Sequence, residues 1–347
     1  DAGDAGIRHE QLTQRVFDAL DLPLEQYATD PTVKFAALSG TQTALRNVLG
    51  YRLYRDLQKG WRITLPNLEQ CGLLNIEYES LQELCSAEEE WARAHQALVS
   101  ATPATRAAIA DTMLDWMRRG LAIKVDYLRG EYQEGLKQQS SQRLRSPWAI
   151  DEQERLETAK VVFPRSTRAG DFGGNLFLSG RGGFGQYLRR SNTFPVHGHK
   201  LLVVDADTII RQLFEILRQA GLVEPVVESK DGDVPGYQLP AAAMIWKAGD
   251  GTTPYHDPIR VPNMPAGGGH ANSFFVGFYK NTARGIAGIE AREHTAQVAY
   301  YDREEREERF REGRLPILFC SPTMELGVDI AELNVVNMRN IPPNPAN

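Results

Sequence analysis

The sequence has 347 residues, a formal net charge of −6, 42% hydrophobic and 24% charged residues. These values are typical of a globular chain with two or three structural units, and they exclude a disordered, collagen-like or coiled-coil protein for most of the length. The mildly acidic total removes the simplest argument for a nucleic-acid-binding protein, although local basic surfaces are compatible with it.

Three widely spaced cysteines predict no disulfide framework and favour a cytoplasmic location. No apolar run approaches the roughly 18 residues that span a bilayer, so we expect no membrane association. The chain begins at Asp1 without a methionine or an apolar leader. We therefore expect it to be part of a longer protein.

Residues 1–160 are predicted to form a mostly helical region. The clearest helix follows Thr102, which is typical of an N-cap, has Pro103 at its first position, carries apolar residues at helical spacing from Ile109 to Met117, and ends at Gly120. Further predicted elements are a helix over 81–98, a strand over 61–65 and a helix that begins at Asp151 and continues through Glu157.

Residues 161–247 begin with a basic, glycine-rich stretch. Between Pro164 and Asn192 there are five arginines, one acid and four interleaved aromatic residues; the arginines are Arg165, Arg168, Arg181, Arg189 and Arg190. Arginine pairs with phosphates and aromatic rings stack on bases, so this composition suits a passing nucleic-acid strand. A surface loop whose aromatic residues pack on the domain beneath explains the same composition equally well.

The second half of this region has the order of a winged-helix module. A helix over 206–220 is followed by a hairpin with a polar tip at 230–233 and by a short helix over 241–246. Such modules either bind nucleic acid or mediate contacts between domains. A linker rich in Gly and Pro is predicted over 248–271.

Several motifs are weak on inspection. Gly180–Gly185 matches G-x-G-x-x-G, but a long helix is not predicted after it, so we do not favour dinucleotide binding. His197 and His199 lack further ligands nearby, and we predict no metal site. The phosphate-loop pattern G-x-x-x-x-G-K-[ST] does not occur in the sequence.

The most informative stretch is the last 75 residues. A charged helix is predicted over 302–312, followed by a buried parallel strand over 316–320 and another strand over 333–338. Ser321-Pro322-Thr323 between them is typical of a helix start, which would place free N–H groups and two hydroxyls where a phosphate could bind. The spacing alone slightly favours an ordinary, well-capped α/β turn over a phosphate site.

The run from Ile317 to Ile330, which contains Met324-Glu325-Leu326-Gly327-Val328-Asp329-Ile330, resembles motif V of superfamily 2 helicases. The similarity is closest to the large bacterial DEAD/DEAH-type enzymes and to the Lhr-like and MrfA-like groups. His294 and the charged helix resemble the preceding part of the second RecA-like lobe of these enzymes, and 340–347 resembles the lead-in to motif VI. The resemblance implies that Ser321 and Thr323 face the nucleic-acid backbone, that Gly327 permits a tight turn and that Asp329 lies toward the nucleotide.

The sequence patterns predict an α/β protein with a large, mostly helical accessory region and a winged-helix-like insert, and the resemblance implies a partial RecA-like parallel sheet. The predicted domains are a helical accessory region over 1–160, a basic loop and winged-helix-like module over 161–247, a linker over 248–271 and a truncated second lobe over 272–347.

The resemblance implies that this chain is a fragment of an ATP-dependent nucleic-acid helicase or translocase. In that enzyme it would contribute contacts to the nucleic-acid backbone and coupling between the two lobes. ATP and Mg²⁺ would act in the longer protein; because Walker A, Walker B and motif VI are missing, we expect this chain alone to be inactive and to bind no cofactor. Expected partners are nucleic acid, with DNA favoured, the absent first lobe and a phage-defence subunit. The alternatives are a non-catalytic winged-helix adaptor and a small-molecule enzyme that uses the Gly180–Gly185 loop.

Overall fold

The structure, a computed structural model, describes residues 5–60, 65–151, 154–171, 173–228, 233–263, 268–282, 285, 289–320, 335 and 337. The chain divides into two compact units, which we call unit 1 (Asp1–Val276) and unit 2 (Gly277–Asn347). The predicted strand over 61–65 and the predicted strand over 333–338 lie almost entirely outside the described residues. None of the described helices combines the length and the apolar character that spanning a membrane requires.

Unit 1 is built mainly from helices, with two small sheets. Its described α-helices are α1 (His9–Leu20), α2 (Phe35–Asp56), α3 (Leu81–Ser86), α4 (Glu88–Trp91), α5 (Gln96–Val99), α6 (Pro103–Arg119), α7 (Gly130–Arg143), α8 (Gly183–Leu188), α9 (Val203–Gln219) and α10 (Ser273–Gly277), the last of which runs into unit 2. Single 3-10 turns cover Leu24–Gln26, Asp126–Leu128 and Ala241–Ala243.

The strands of unit 1 form two sheets. They are β1 (Ile7–Arg8), β2 (Leu74–Tyr78), β3 (Ile123–Lys124), β4 (Val162–Phe163), β5 (Leu176–Phe177), β6 (Glu224–Val227), β7 (Gly236–Pro240) and β8 (Met244–Ala248). The first sheet is antiparallel, in the order β1-β8-β2, with Ile76 opposite Trp246. The second has the order β3-β7-β4-β5, with β6 also paired to β7; β3–β7 and β4–β5 are parallel, and β7 is antiparallel to β4 and β6.

Helix α6 forms as its sequence predicts, and its apolar face is buried in the core of unit 1. The Thr102 hydroxyl accepts a 3.2 Å hydrogen bond from the backbone N–H of Thr105, and Gly120 ends the helix. Ile109, Met113 and Met117 are almost completely buried. Burial of each such side chain contributes about 1.5–3 kcal/mol to stability, so this apolar face holds the helix in place.

The region 81–98 is not the single helix that the sequence predicts. It forms the three short helices α3, α4 and α5, and Ala87 has an extended backbone between the first two. The buried guanidinium of Arg106 donates to the carbonyl oxygens of Cys85, Leu98 and Val99. The prediction was wrong because the chain leaves the helix after Ser86, where Arg106 satisfies the carbonyl oxygen of Cys85 that a continuous helix would have used internally.

Two other helix predictions fail for a similar reason. Residues 154–160 contain no helix: the N–H of Glu157 donates to the hydroxyl of Tyr51, and its carbonyl oxygen accepts from the amide of Gln133. After the 3-10 turn Ala241–Ala243, the chain forms β8 instead of the predicted helix over 241–246, because β1 and β2 pair with it on both sides. The helix and hairpin of the winged-helix prediction are present as α9 and β6–β7, but the module itself is not confirmed.

Unit 2 contains a π-helical turn (Phe278–Thr282), strand β9 (Ala291–His294), helix α11 (Tyr300–Arg311) and strand β10 (Ile317–Cys320) among its described residues. Strands β9 and β10 are parallel, with Cys320 opposite His294. The parallel strand is therefore confirmed, but its predicted burial is wrong, since Ile317 is 41% and Phe319 is 65% exposed. With its described helices and small sheets, the chain is a mixed helix-and-sheet structure, consistent with the predicted α/β class.

Candidate functional site

The two parallel strands of unit 2 end at the same edge, immediately before the segment that resembles motif V. Strand β10 ends at Cys320, and β9 ends at its register partner His294. The carboxyl ends of parallel strands are the usual ligand-binding edge of open α/β sheets. Ser321, Thr323, Gly327 and Asp329, the residues that the sequence predicts for this edge, lie outside the described residues.

His294 joins β9 to helix α11 at this edge. Its side chain is 7% exposed, and its Nε2 lies 2.6 Å from Oε1 of Glu307, whose other oxygen lies 3.3 Å from Arg311. A second contact comes from Arg306, which donates a 2.7 Å hydrogen bond to the carbonyl oxygen of Glu293. These two bonds join α11 to β9 at the edge that precedes residue 321.

Arg165 and Arg168, two of the five predicted nucleic-acid contacts, are already engaged within unit 1. The Arg165 guanidinium forms two 2.8 Å hydrogen bonds to the carboxylate of Asp171 and lies 3.1 Å from Asp233. Arg168 also pairs with Asp233, at 3.1 Å. The side-chain bond from Arg165 lowers the pKa of Asp171 to about 2, so both positive charges have anionic partners at neutral pH.

The remaining predicted arginines lie on or beside α8. Arg181 is exposed, and Arg189 donates from Nε to the carbonyl oxygen of Gly185 at 3.3 Å. Arg190 donates to the carbonyl oxygens of Pro258 and Ile259. Carbonyl oxygens carry no net charge, so the positive charge of this segment is not neutralised by these bonds.

The Gly180–Gly185 loop is filled by the protein's own backbone. A Cβ on Gly180 would lie 2.2 Å from the carbonyl oxygen of Val203, and a Cβ on Gly185 would lie 2.4 Å from Gly180. The N–H of Gly180 donates a 2.6 Å hydrogen bond to the carboxylate of Asp207 on α9. Close packing of α8 against α9 therefore accounts for these glycines.

A network of buried charges, which the sequence analysis missed, lies between β2 and α6. The guanidinium of Arg118 donates to Asp115 at 2.6 Å, to Glu69 at 2.7 Å and to the hydroxyl of Tyr78 at 3.1 Å. All four residues are buried. Asp115 and Arg118 lie three positions apart on α6, with the apolar residues Trp116 and Met117 between them, and this spacing was the available signal for a buried pair.

The network borders a cleft with a volume of about 1070 Å³, which Asp111 also lines. Burial, followed by repulsion from the charge of Asp115, raises the pKa of Asp111 to about 7. The Asp111 carboxyl is therefore partly protonated at neutral pH. Among the described residues, no group of histidines, cysteines and acids has an arrangement that could hold a metal ion.

Comparison with known families agrees with the geometry of unit 2. Residues 272–347 match the family described as the helicase conserved C-terminal domain. This domain is RecA-like, and its presence supports a nucleic-acid-binding protein of the superfamily 1 or 2 helicase type. No curated protein and no solved structure matches the chain significantly.

Proposed function

We propose that this chain is part of an ATP-dependent helicase or translocase of superfamily 2, in which it contributes nucleic-acid backbone contacts and coupling between the two motor lobes. The observation that carries the proposal is the family match over 272–347, which includes the parallel pair β9–β10 and the segment directly after it. ATP and Mg²⁺ would bind with the first RecA-like lobe, which this sequence lacks.

Ser321 and Thr323 would contact the backbone phosphates, with Gly327 permitting the turn between them and Asp329. Asp329 would lie toward the nucleotide. Hydroxyl and N–H groups that bind phosphates position a strand but do not read its bases, so binding would have little sequence preference. DNA is the proposed substrate, the cytoplasm is the proposed location and a phage-defence subunit is a proposed partner.

A non-catalytic adaptor that binds nucleic acid or protein is the second candidate. It is favoured by one observation, the antiparallel hairpin β6–β7 that follows the amphipathic helix α9. The two candidates differ in where the main contacts lie: after β10 for the motor, and in 161–247 for the adaptor.

The test is titration of a fluorescent single strand and a matched duplex with the full chain across a salt series, with ATP turnover recorded in the same buffer. We expect salt-dependent binding without turnover. Thr323→Ala should weaken binding about 2- to 12-fold, the equivalent of one hydrogen bond of about 0.5–1.5 kcal/mol. Thr282→Ala, at an exposed threonine of the same unit, is the control.

Equal affinities of the Thr323→Ala variant, the control and the unmodified chain would contradict the motor assignment. Loss of binding on substitution of Arg181 and Arg189 alone would favour the adaptor. ATP turnover by the chain alone would contradict our expectation that ATP hydrolysis requires the first RecA-like lobe.

A further inference from the structure

Four basic side chains from separate parts of unit 1 converge on the turn 257–260. They are Lys59, which follows α2, Arg119 at the end of α6, Arg190 after α8, and Arg260 in the turn itself; we call them the basic patch. The ammonium group of Lys59 bonds to Oδ2 of Asp257, and Nη1 of Arg119 lies 3.9 Å from the same oxygen. Arg190 donates a 2.6 Å hydrogen bond to the carbonyl oxygen of Ile259.

The basic patch has more positive charge than its anionic partner can neutralise. Asp257 is shared between Lys59 and Arg119, while Arg190 bonds only to neutral carbonyl oxygens among the described residues. Burial, and then the nearby charges of Arg119 and Arg260, outweigh the bond to Asp257 and lower the pKa of Lys59. The four basic side chains and Asp257 together carry four positive charges and one negative charge, so these five side chains have a net positive charge.

The guanidinium of Arg119 also has a hydrogen-bond donor without an acceptor among the described residues. Its side chain is 7% exposed, and its Nε has no hydrogen-bond partner among the described residues. Its guanidinium carbon lies 3.9 Å from the ring centroid of Tyr255, which holds the group in place. A buried guanidinium with an unused donor and a shared counter-ion is costly unless an anion completes its surroundings.

Helix α8 packs against the turn that carries the basic patch. A Cβ on Gly183, the first residue of α8, would lie 3.2 Å from Cγ2 of Ile259. Arg190, which follows α8, donates to the carbonyl oxygens of Pro258 and Ile259 in this turn. Several cations from separate elements can contact more than one phosphate, which suits a nucleic-acid strand better than a single small anion.

We propose that the basic patch binds backbone phosphates of a nucleic-acid strand, so that unit 1 holds a nucleic-acid contact of its own. The proposal rests on the proposed function, because a helicase-type chain must hold a strand during movement. Lys59 and Arg260 supply the accessible charges, since Lys59 is 32% exposed and Arg260 is exposed. Arg119 supplies a fixed charge beneath them.

The experiment measures binding of the full chain to a fluorescent 20-nucleotide oligo-dT strand from low to moderate salt. The Lys59→Gln/Arg260→Gln variant should bind roughly tenfold more weakly, and the magnitude of the log–log salt slope should fall by about 1.4, or about 0.7 for each lost phosphate contact. Asp257 keeps Arg119 as a partner in this variant, so we expect the fold to be retained, as checked by circular dichroism.

The matched control is Arg15→Gln/Lys34→Gln, which removes two charges at exposed positions. Lys34 precedes α2, whereas Lys59 follows it, and a helix of 22 residues separates the two ends by about 33 Å. The control variant should retain the affinity and salt slope of the unmodified chain. If Lys59→Gln perturbs folding, the single variant Arg260→Gln, at an exposed position, replaces the double variant and should lower the magnitude of the salt slope by about 0.7.

Unchanged affinity and slope in the Lys59→Gln/Arg260→Gln variant, with normal binding by the unmodified chain, would overturn the basic patch and leave the proposed function standing. Absence of binding by the unmodified chain would overturn both. Displacement of the strand by low-millimolar inorganic phosphate from the unmodified chain would assign the patch to a small anion and overturn the nucleic-acid assignment.

Discussion

The hydroxyl of Tyr78, at the end of β2, donates a 2.7 Å hydrogen bond to Oδ1 of Asp115 near the C-terminal end of α6. The same hydroxyl accepts a 3.1 Å hydrogen bond from Nε of Arg118. Both ends of this link are buried. Tyr78 therefore connects the antiparallel sheet to the central helix through a polar contact at which water has little access.

Tyr78→Phe should lower the free energy of unfolding of unit 1 by about 1–3 kcal/mol, because Asp115 and Arg118 each lose a hydrogen-bond partner inside the protein. Urea unfolding followed by tryptophan fluorescence measures the change. Tyr132→Phe is the control, since no hydrogen bond joins the Tyr132 hydroxyl to another described residue. Identical unfolding midpoints for the two variants would show that the network contributes nothing to stability.

Asp111→Asn should change how stability depends on pH. The folded state holds the Asp111 proton up to about pH 7, whereas an unfolded aspartate releases it near pH 3.8. The folded state thus binds more protons between these values, and its stability falls as pH rises from about 4 to 7. Removing the ionisable group should stabilise the protein above pH 7, by on the order of 1–4 kcal/mol, and change little below pH 4.

The difference in unfolding free energy between Asp111→Asn and the unmodified chain, measured from pH 4 to 8, tests this expectation. The exposed residue Asp126 provides the control substitution Asp126→Asn, which accounts for the general effect of an amide. A difference that stays constant across the range would rule out a raised Asp111 pKa.

Several elements were predictable because their signals are local. Helix α6 has a capping threonine, a proline at its first position and a glycine at its end, all within one stretch of sequence. Helix α9 has a strong apolar stripe, and α11 has charge pairs at helical spacing. Strand β10 was predicted from a short apolar run, and its parallel partner β9 was found only in the structure.

The failures came from partners distant in sequence. Arg106 satisfies carbonyl groups at the ends of α3 and α5. Residues 244–248 form a strand because they pair with β1 and β2, although they follow an alanine run that favours helix. Neither partner can be recognised from the segment itself. Tertiary hydrogen bonds decided both cases over local propensity.

The candidate sites illustrate the same limit. The local excess of arginines in 164–192 was visible in the sequence, but Asp233, which lies 65 residues after Arg168 and pairs with it, was not counted. Conversely, Lys59, Arg119 and Arg260 are unremarkable in sequence and become a charged surface only through the fold. The net charge of a sequence segment therefore differs from the net charge of the surface on which that segment lies, because residues distant in sequence contribute to the surface.

Thr102→Ala should destabilise unit 1 by about 0.5–2 kcal/mol, because the N-terminus of α6 loses the hydroxyl that accepts from Thr105. Thr102→Ser keeps this acceptor and should restore most of the loss. Thermal unfolding of the two variants beside the unmodified chain measures the effect. Equal destabilisation by Ser and Ala would mean that the methyl group, and not the cap, is important at this position.

Glu307→Ala should loosen unit 2 at the edge that precedes residue 321. Without Glu307, the buried ring of His294 has no hydrogen-bond partner among the described residues for either nitrogen, at a cost of about 1–3 kcal/mol. Amide hydrogen exchange in β9 should then be about 5- to 150-fold faster, while exchange in α6 provides an internal reference.

Glu308→Ala is the matched control, because Glu308 lies next to Glu307 on α11 but is exposed. Glu308→Ala makes the same change in helix propensity and charge as Glu307→Ala, but it leaves the His294–Glu307 contact in place. The β9 amides of this variant should therefore exchange at the same rate as those of the unmodified chain. If the C-terminal edge of β9 and β10 positions the segment that follows it on the nucleic acid, Glu307→Ala should also weaken binding of the fluorescent single strand. Glu308→Ala should not weaken it. Faster exchange without weaker binding would show that the His294–Glu307 pair stabilises unit 2 but plays no part in holding nucleic acid.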